Sequence, residues 1–187
     1  MPNGIVVFGA NGCGKTTLGR ELARQLNIKH FDVEDYCFEK SEIPYSKPCS
    51  KSAAMERMIV DLEKCDFFVL SGVTGDYGDT IRSMYQLGVF LSVPIAIRLE
   101  RVKRRSFEQY GNRVLAGGDM FEREQEFFEF VRTRNLSVID EWVKTLTCPI
   151  LPLDGTKSIP ENLELILQSY NRMNRFLSNC PNCSAAE

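Results

Sequence analysis

The chain has 187 residues, of which 43% are hydrophobic and 26% charged. At roughly 150 residues per domain this is one unit, large enough to bury a core without disulfide staples. Its 23 Lys and Arg against 25 Asp and Glu leave a net charge of −2, which excludes a surface-wide positive field for nucleic acid or anionic membrane, so a bound anion must be held by a local cluster.

No run approaches the length of a membrane span, and Met1-Pro2-Asn3-Gly4 does not begin a secretory leader, so a cytoplasmic protein is expected. The seven cysteines are odd in number and scattered, which reads as reduced thiols. Cys180 and Cys183 have a metal-like spacing but no second pair nearby, and a frayed tail over 179–187 is the expectation there.

Along the chain, 5–8 (Ile-Val-Val-Phe) reads as a buried strand and 15–26 as a helix with Leu18, Leu22 and Leu26 on one face. Further strands are expected at 29–32, 66–70, 93–99 and 149–153, and helices at 52–64, 76–90, 100–110, 121–146 and 159–176. In the long helix, Phe127, Val131, Val138, Trp142 and Leu146 recur at near-helical spacing and read as core. Strands alternating with helices predict an α/β fold with a parallel sheet covered on both faces. Two segments fit this layering badly: 34–50, with Pro44 and Pro48, and 106–120, with Gly111, Gly117 and Gly118. Connections of that length are uncommon outside lids and binding loops. The expected organisation is a single domain with core 1–33, 65–100 and 135–178, an acceptor-binding insert 34–64 and a lid 101–134.

Between the first strand and first helix, Gly9-Ala10-Asn11-Gly12-Cys13-Gly14-Lys15-Thr16 fits G-x-x-x-x-G-K-[ST], a phosphate-binding loop. Glycines let successive backbone N–H groups point at phosphate oxygens, and the helix N-terminus adds partial positive charge. Gly9, Asn11, Gly12, Cys13, Gly14, Lys15, Thr16 and Thr17 are therefore the candidate nucleotide-binding residues. Lys15 would neutralise the β and γ phosphates and Thr16 would ligate Mg²⁺. A Cys13 adduct is expected to crowd the phosphates, so nucleotide should protect that thiol.

Many ATPases of this type end an apolar strand in an Asp that holds Mg²⁺; here 67–70 runs into Ser71-Gly72. The second strand instead ends in Asp32-Val33-Glu34-Asp35, at the carboxyl edge where doubly wound sheets bind ligands. Asp32 and Glu34 are the candidates to hold metal water or the acceptor, with a solvated acidic turn as the alternative. Arg98, Arg101, Lys103, Arg104, Arg105 and Arg113 form a basic cluster, followed by Arg132 and Arg134. Arg101 and Arg105, four apart, share a helix face. Arg105 and Arg113 are the candidates to stabilise charge on a transferred phosphoryl group.

The phosphate loop, the Arg101-Val-Lys-Arg-Arg105 stretch before a glycine-containing segment, and Leu153-Asp-Gly-Thr-Lys157 together resemble the P-loop kinases of the adenylate kinase and shikimate kinase-like group. The resemblance spans nearly the whole chain. It implies five parallel strands in the order 2-3-1-4-5, a substrate-binding insert after the second strand and a lid. It implies an adenine-binding loop at Asp154, Gly155, Thr156 and Lys157, with Arg101 stacked on the base and Arg105 on phosphate. Departures are informative: Ser71-Gly-Val-Thr-Gly-Asp76 stands where adenylate kinases carry Asp-Gly-Phe-Pro-Arg, which speaks against AMP as acceptor. Asp32-x-Glu34 is similar to the Asp-x-Asp of shikimate and gluconate kinases, yet the insert offers only Lys40 and Lys47 where those enzymes place an acceptor-binding arginine. The expected function is ATP- and Mg²⁺-dependent phosphoryl transfer to a small-molecule hydroxyl or phosphate acceptor, with no nucleic-acid or membrane partner. The alternative is a nucleotide-binding switch or regulatory ATPase without such an acceptor.

Overall fold

In the computed structural model, which describes residues 2–39 and 47–178, the apolar run near the N-terminus is β1 (Asn3–Phe8) at the centre of a five-stranded sheet. Strand periodicity sends Ile5 and Val7 to one face and Val6 and Phe8 to the other, so β1 has core on both sides. The order is β2-β3-β1-β4-β5 and every pairing is parallel, as the resemblance implied. The other strands are β2 (Lys29–Asp32), β3 (Phe67–Gly72), β4 (Tyr85–Ser92) and β5 (Ile150–Asp154).

Helices cover both faces. On one side α1 (Lys15–Leu26) and α8 (Ile159–Ser178) bury Leu18, Leu22, Leu163 and Ile166 against Ile5, Val7 and Val89. On the other, α3 (Lys51–Leu62) supplies Met58 and Leu62, and α7 (Ser137–Val143) supplies Ile139 and Trp142. The Trp142 ring meets Phe8 edge-on at 4.9 Å between centroids. The short helices α2 (Val33–Cys37) and α4 (Asp79–Ser83) follow β2 and β3; α5 (Ile95–Tyr110) and α6 (Phe121–Thr133) project beyond the carboxyl edge of the sheet and flank a 3₁₀ turn, Gly111–Val114.

Three expectations need correction. The fourth strand is Tyr85–Ser92, not 93–99, and only Asp79–Ser83 of the expected helix 76–90 is helical. A central strand buried on both faces reads as a continuous apolar run, which periodicity alone does not separate from a buried helix. Pro94, with φ −54°, then caps α5, so Arg98 belongs to a helix rather than to a strand. The expected helix 121–146 is broken at Arg134, whose ψ of 124° leaves the helical region, and Val138 is 44% exposed rather than core.

Among the described residues no helix is long and apolar enough to cross a membrane, and no group of three His, Cys, Asp or Glu is placed to hold a metal ion. Lys40, Pro44, Cys180, Cys183 and the tail from 179 lie outside the described residues.

Candidate functional site

The phosphate loop leaves β1 through Gly9 and enters α1 at Lys15, and its path depends on missing side chains. Gly12 has φ +80°, and a Cβ there would lie 2.5 Å from the Arg98 carbonyl oxygen; at Gly9 (φ +147°) a Cβ would lie 2.4 Å from that of Leu91. The loop is thus pressed against α5 and the end of β4. Arg98 is buried and donates from Nε to the Val93 carbonyl at 3.1 Å and from Nη1 to that of Asn11 at 3.2 Å. Asn11 is gripped a second time, its Oδ1 accepting from Arg134 Nη1 at 2.7 Å.

Lys15 is buried, with Nζ donating to the Ala10 carbonyl at 3.1 Å, so the ammonium lies folded over the loop. Thr16 Oγ1 donates to Asp32 Oδ2 at 2.7 Å, while Asp32 Oδ1 accepts from the Glu34 amide at 3.0 Å as the N-cap of α2. A threonine hydroxyl backed by one carboxylate fits Mg²⁺, which takes oxygen ligands from one or two side chains and completes its shell with phosphate and water. Ser71, at the strand end where a carboxylate was sought, is fully buried and donates to the Lys15 carbonyl at 3.3 Å; His30 Nε2 lies 2.9 Å from its hydroxyl. Burial holds His30 below its usual pKa, opposed by Asp32 and assisted by Arg20.

On the opposite side of the loop, Arg101 joins two distant segments, donating to the Cys13 carbonyl at 3.3 Å and to the Gly155 carbonyl at 3.0 Å. Gly155 donates its own amide to Ser92 at 2.9 Å, which seats the turn after β5 beside the phosphate loop. Within that turn, Asp154 Oδ1 accepts from the Thr156 hydroxyl at 2.7 Å and its amide at 2.8 Å, and these bonds hold the carboxyl below its usual range. Asn162 of α8 donates to the Asp154 carbonyl at 3.0 Å and keeps a buried Oδ1 without a hydrogen-bond partner.

Two cavities meet here. One, of about 490 Å³, is lined by Gly12 to Leu18 of the loop and α1, by Arg101, Arg104 and Arg105 of α5, and by Gly155, Lys157 and Asn162. The other, of about 820 Å³, lies between α2, the end of β3, α5 and α6. Asn11, Glu34, Val102 and Arg105 line both and form the wall they share.

The structure therefore brings together Asn11, Gly12, Cys13, Gly14, Lys15, Thr16, Thr17, Glu34, Arg101, Arg105, Gly155 and Lys157 around one cavity. Gly9 shapes the loop from below, and Asp32 stands behind Thr16. Asp154 and Thr156 form the adjoining turn without lining the cavity. Arg113 lines neither cavity: its guanidinium makes a two-toothed pair with exposed Asp119. The Cys13 thiol is 1% exposed and packed in the core, so only its backbone is available to the site and the expected protection from alkylation does not apply. Sequence reasoning missed Asn162 and most of the second cavity's wall, including Tyr77, Arg123 and Phe130; Phe127 was visible only as a core position at near-helical spacing.

Residues 5–129 match the family described as AAA domain. The chain belongs to that family. This AAA domain chain is 33% identical over 180 residues to an uncharacterized protein, YqaC, of Bacillus subtilis (strain 168), with 89% of this chain and 97% of YqaC covered. Among solved structures it is similar to a shikimate kinase from Bacteroides thetaiotaomicron (TM-score 0.60, 17% identity, 90% of this chain and 98% of that one). A gluconokinase from Sinorhizobium meliloti 1021 also superposes (TM-score 0.57, 17% identity, 96% and 98%), as does a deoxyadenosine kinase from M. mycoides with bound dATP (TM-score 0.58, 15% identity, 89% and 98%). At these identities the likeness is one of fold. The AAA domain of this chain thus has the fold of the adenylate kinase and shikimate kinase-like P-loop group.

Proposed function

We propose that the protein is an ATP- and Mg²⁺-dependent phosphotransferase acting in the cytoplasm on a small-molecule acceptor. The observation that carries this reading is the pair of adjoining cavities: a phosphate-loop cavity on one side, a larger cavity on the other, and Asn11, Glu34 and Arg105 in the wall between. Phosphoryl transfer needs a donor and an acceptor held in line across such a boundary, with charge neutralised there. A switch needs only the first cavity.

In this reading the loop amides and Lys15 hold the β and γ phosphates, and Arg101 with Gly155 and Lys157 holds the base end. Thr16 and Asp32 would hold Mg²⁺, which when bound neutralises phosphate charge. Arg105 faces both cavities and is placed to follow the phosphoryl group as it moves; Arg134, anchored on Asn11, adds a second cation beside it. Arg113 would enter only by leaving Asp119 on lid closure. Glu34 orients the acceptor. The neighbours named as gluconokinase, shikimate kinase and deoxyadenosine kinase lend support through their shared fold.

The test is turnover. ADP release from Mg-ATP should be slow for the protein alone and accelerated by an acceptor found in a screen of nucleosides, nucleotides, polyols and sugar acids. ATP binding with hydrolysis indifferent to every such compound would establish the switch instead.

A further inference from the structure

The acceptor cavity has a composition that selects among small molecules. Among the described residues its cations are Arg105, Arg123 and Arg134, and its carboxylates Glu34, Glu124 and Glu126, three of each. An acceptor with a phosphate or carboxylate of its own would need a surplus of positive charge, and among the described residues this wall has none. The carboxylates are built in: Glu124 is buried and accepts from Ser106 Oγ at 2.6 Å, and Glu34 supports the charge of Arg134 against the burial that lowers its pKa.

The apolar part of the wall is aromatic. Phe127 and Phe130 stack at 6.4 Å with 23° between their planes, and Phe130 stays 49% exposed. The Arg134 guanidinium lies 5.3 Å from the Phe130 ring, so this aromatic pair is tied through Arg134 to Asn11 of the phosphate loop. Tyr77, between β3 and α4, lines the same cavity, its hydroxyl 3.1 Å from Cys37 Sγ; burial and that bond push the phenol well above its usual pKa, so it is a neutral ring. Flat rings lining a space of about 820 Å³, one of them half exposed, suit a planar ligand that stacks. Gln109 and Thr74 supply both donors and acceptors for the edge of such a ring.

We infer that the acceptor is a nucleoside: an uncharged alcohol bearing a heteroaromatic base, with the base against Phe130 and its hydroxyl at the wall beside Glu34. This rests on the phosphotransferase reading above and names its substrate class. In the step, the nucleoside hydroxyl oxygen forms a bond to the γ-phosphorus of ATP, the bond from that phosphorus to the β,γ-bridging oxygen breaks, the hydroxyl proton passes to the Glu34 carboxylate, and ADP leaves with the electron pair.

The experiment follows ADP release by the full chain with Mg-ATP and, in turn, adenosine, guanosine, cytidine, uridine, their 5′-monophosphates, gluconate and shikimate. At least one nucleoside should raise the rate about tenfold or more over the unaided protein, while monophosphates and sugar acids do not. Phe130→Ala should raise KM for that nucleoside about tenfold with KM for ATP within about twofold, and Phe130→Trp should restore it. Phe130 is half exposed, so its truncation leaves no buried void. Turnover driven by monophosphates or sugar acids alone, or no response to any nucleoside while ATP still binds, overturns the inference and leaves the phosphotransferase reading standing or falling on the other acceptors. An unchanged nucleoside KM in Phe130→Ala overturns it as well. Failure of ATP to bind overturns both.

Discussion

A threonine hydroxyl has one proton and two lone pairs. Thr16 directs its proton to Asp32 at 2.7 Å, which leaves the oxygen's lone pairs for a cation. Asp32 is doubly used, since its other oxygen caps α2. Asparagine caps a helix as well as aspartate does, so Asp32→Asn keeps the fold and removes the charge. That variant should lower kcat about a hundredfold while the ATP Kd moves less than about threefold, a split read from steady-state kinetics and calorimetry. Lys15→Ala should cost about a hundredfold or more in turnover with an unchanged circular dichroism spectrum. His30 makes a different prediction. Its pKa in the folded protein is lowered from the ordinary 6.5, so the folded state resists protonation that the unfolded chain accepts. The His30 contribution to stability is complete above 6.5 and is lost as pH falls below it. The thermal midpoint should therefore drop as pH is taken from 7 toward about 5, and His30→Gln should flatten that slope. None of the His30 to Ser71 to Lys15 chain is legible in the sequence, because its bonded members come from three elements and lie 41 and 56 residues apart; the Thr16 and Asp32 pair is legible, because motif and strand end each mark one partner.

Elements were readable where their boundaries carry chemistry and unreadable where burial erases periodicity. The phosphate loop is bounded by an apolar strand and a Gly-Lys-Thr helix start, and both ends lie where expected. β4 was misplaced by several residues because its residues are apolar on both faces; the better signal was Pro94, which marks the start of α5. The break between α6 and α7 at Arg134 has no glycine or proline to announce it. Contact between elements also sets what the loop tolerates. Gly12→Ala would need a positive φ and would bring Cβ to 2.5 Å from the Arg98 carbonyl, so it should cost about 1–3 kcal/mol in urea unfolding and weaken ATP binding.

Over the whole molecule, a net charge of −2 coexists with three arginines of α5 facing one cavity. The large cavity was the part hidden from the sequence. Its wall is assembled from α2, the end of β3, α5 and α6, segments that share no motif and meet only when the sheet is formed. A ligand that binds only the folded chain stabilises it by about 2.7 kcal/mol at a hundred times its Kd. For a chain of this size that is a rise of about 5–10 °C in Tm with saturating Mg-ATP, and Lys15→Ala should abolish the rise.

Asn11 is one residue with two commitments, its carbonyl to Arg98 and its side chain to Arg134, and it belongs to the walls of both cavities. Any displacement that one ligand imposes on it is felt by the other. Thermodynamic reciprocity then applies: the factor by which occupancy of the large cavity changes the affinity for nucleotide must equal the factor by which nucleotide changes affinity in the large cavity. Loss of the Asn11 amide would leave each cavity able to fill on its own and reduce that factor toward one, making two independent sites of what the wild-type chain reads as a single question.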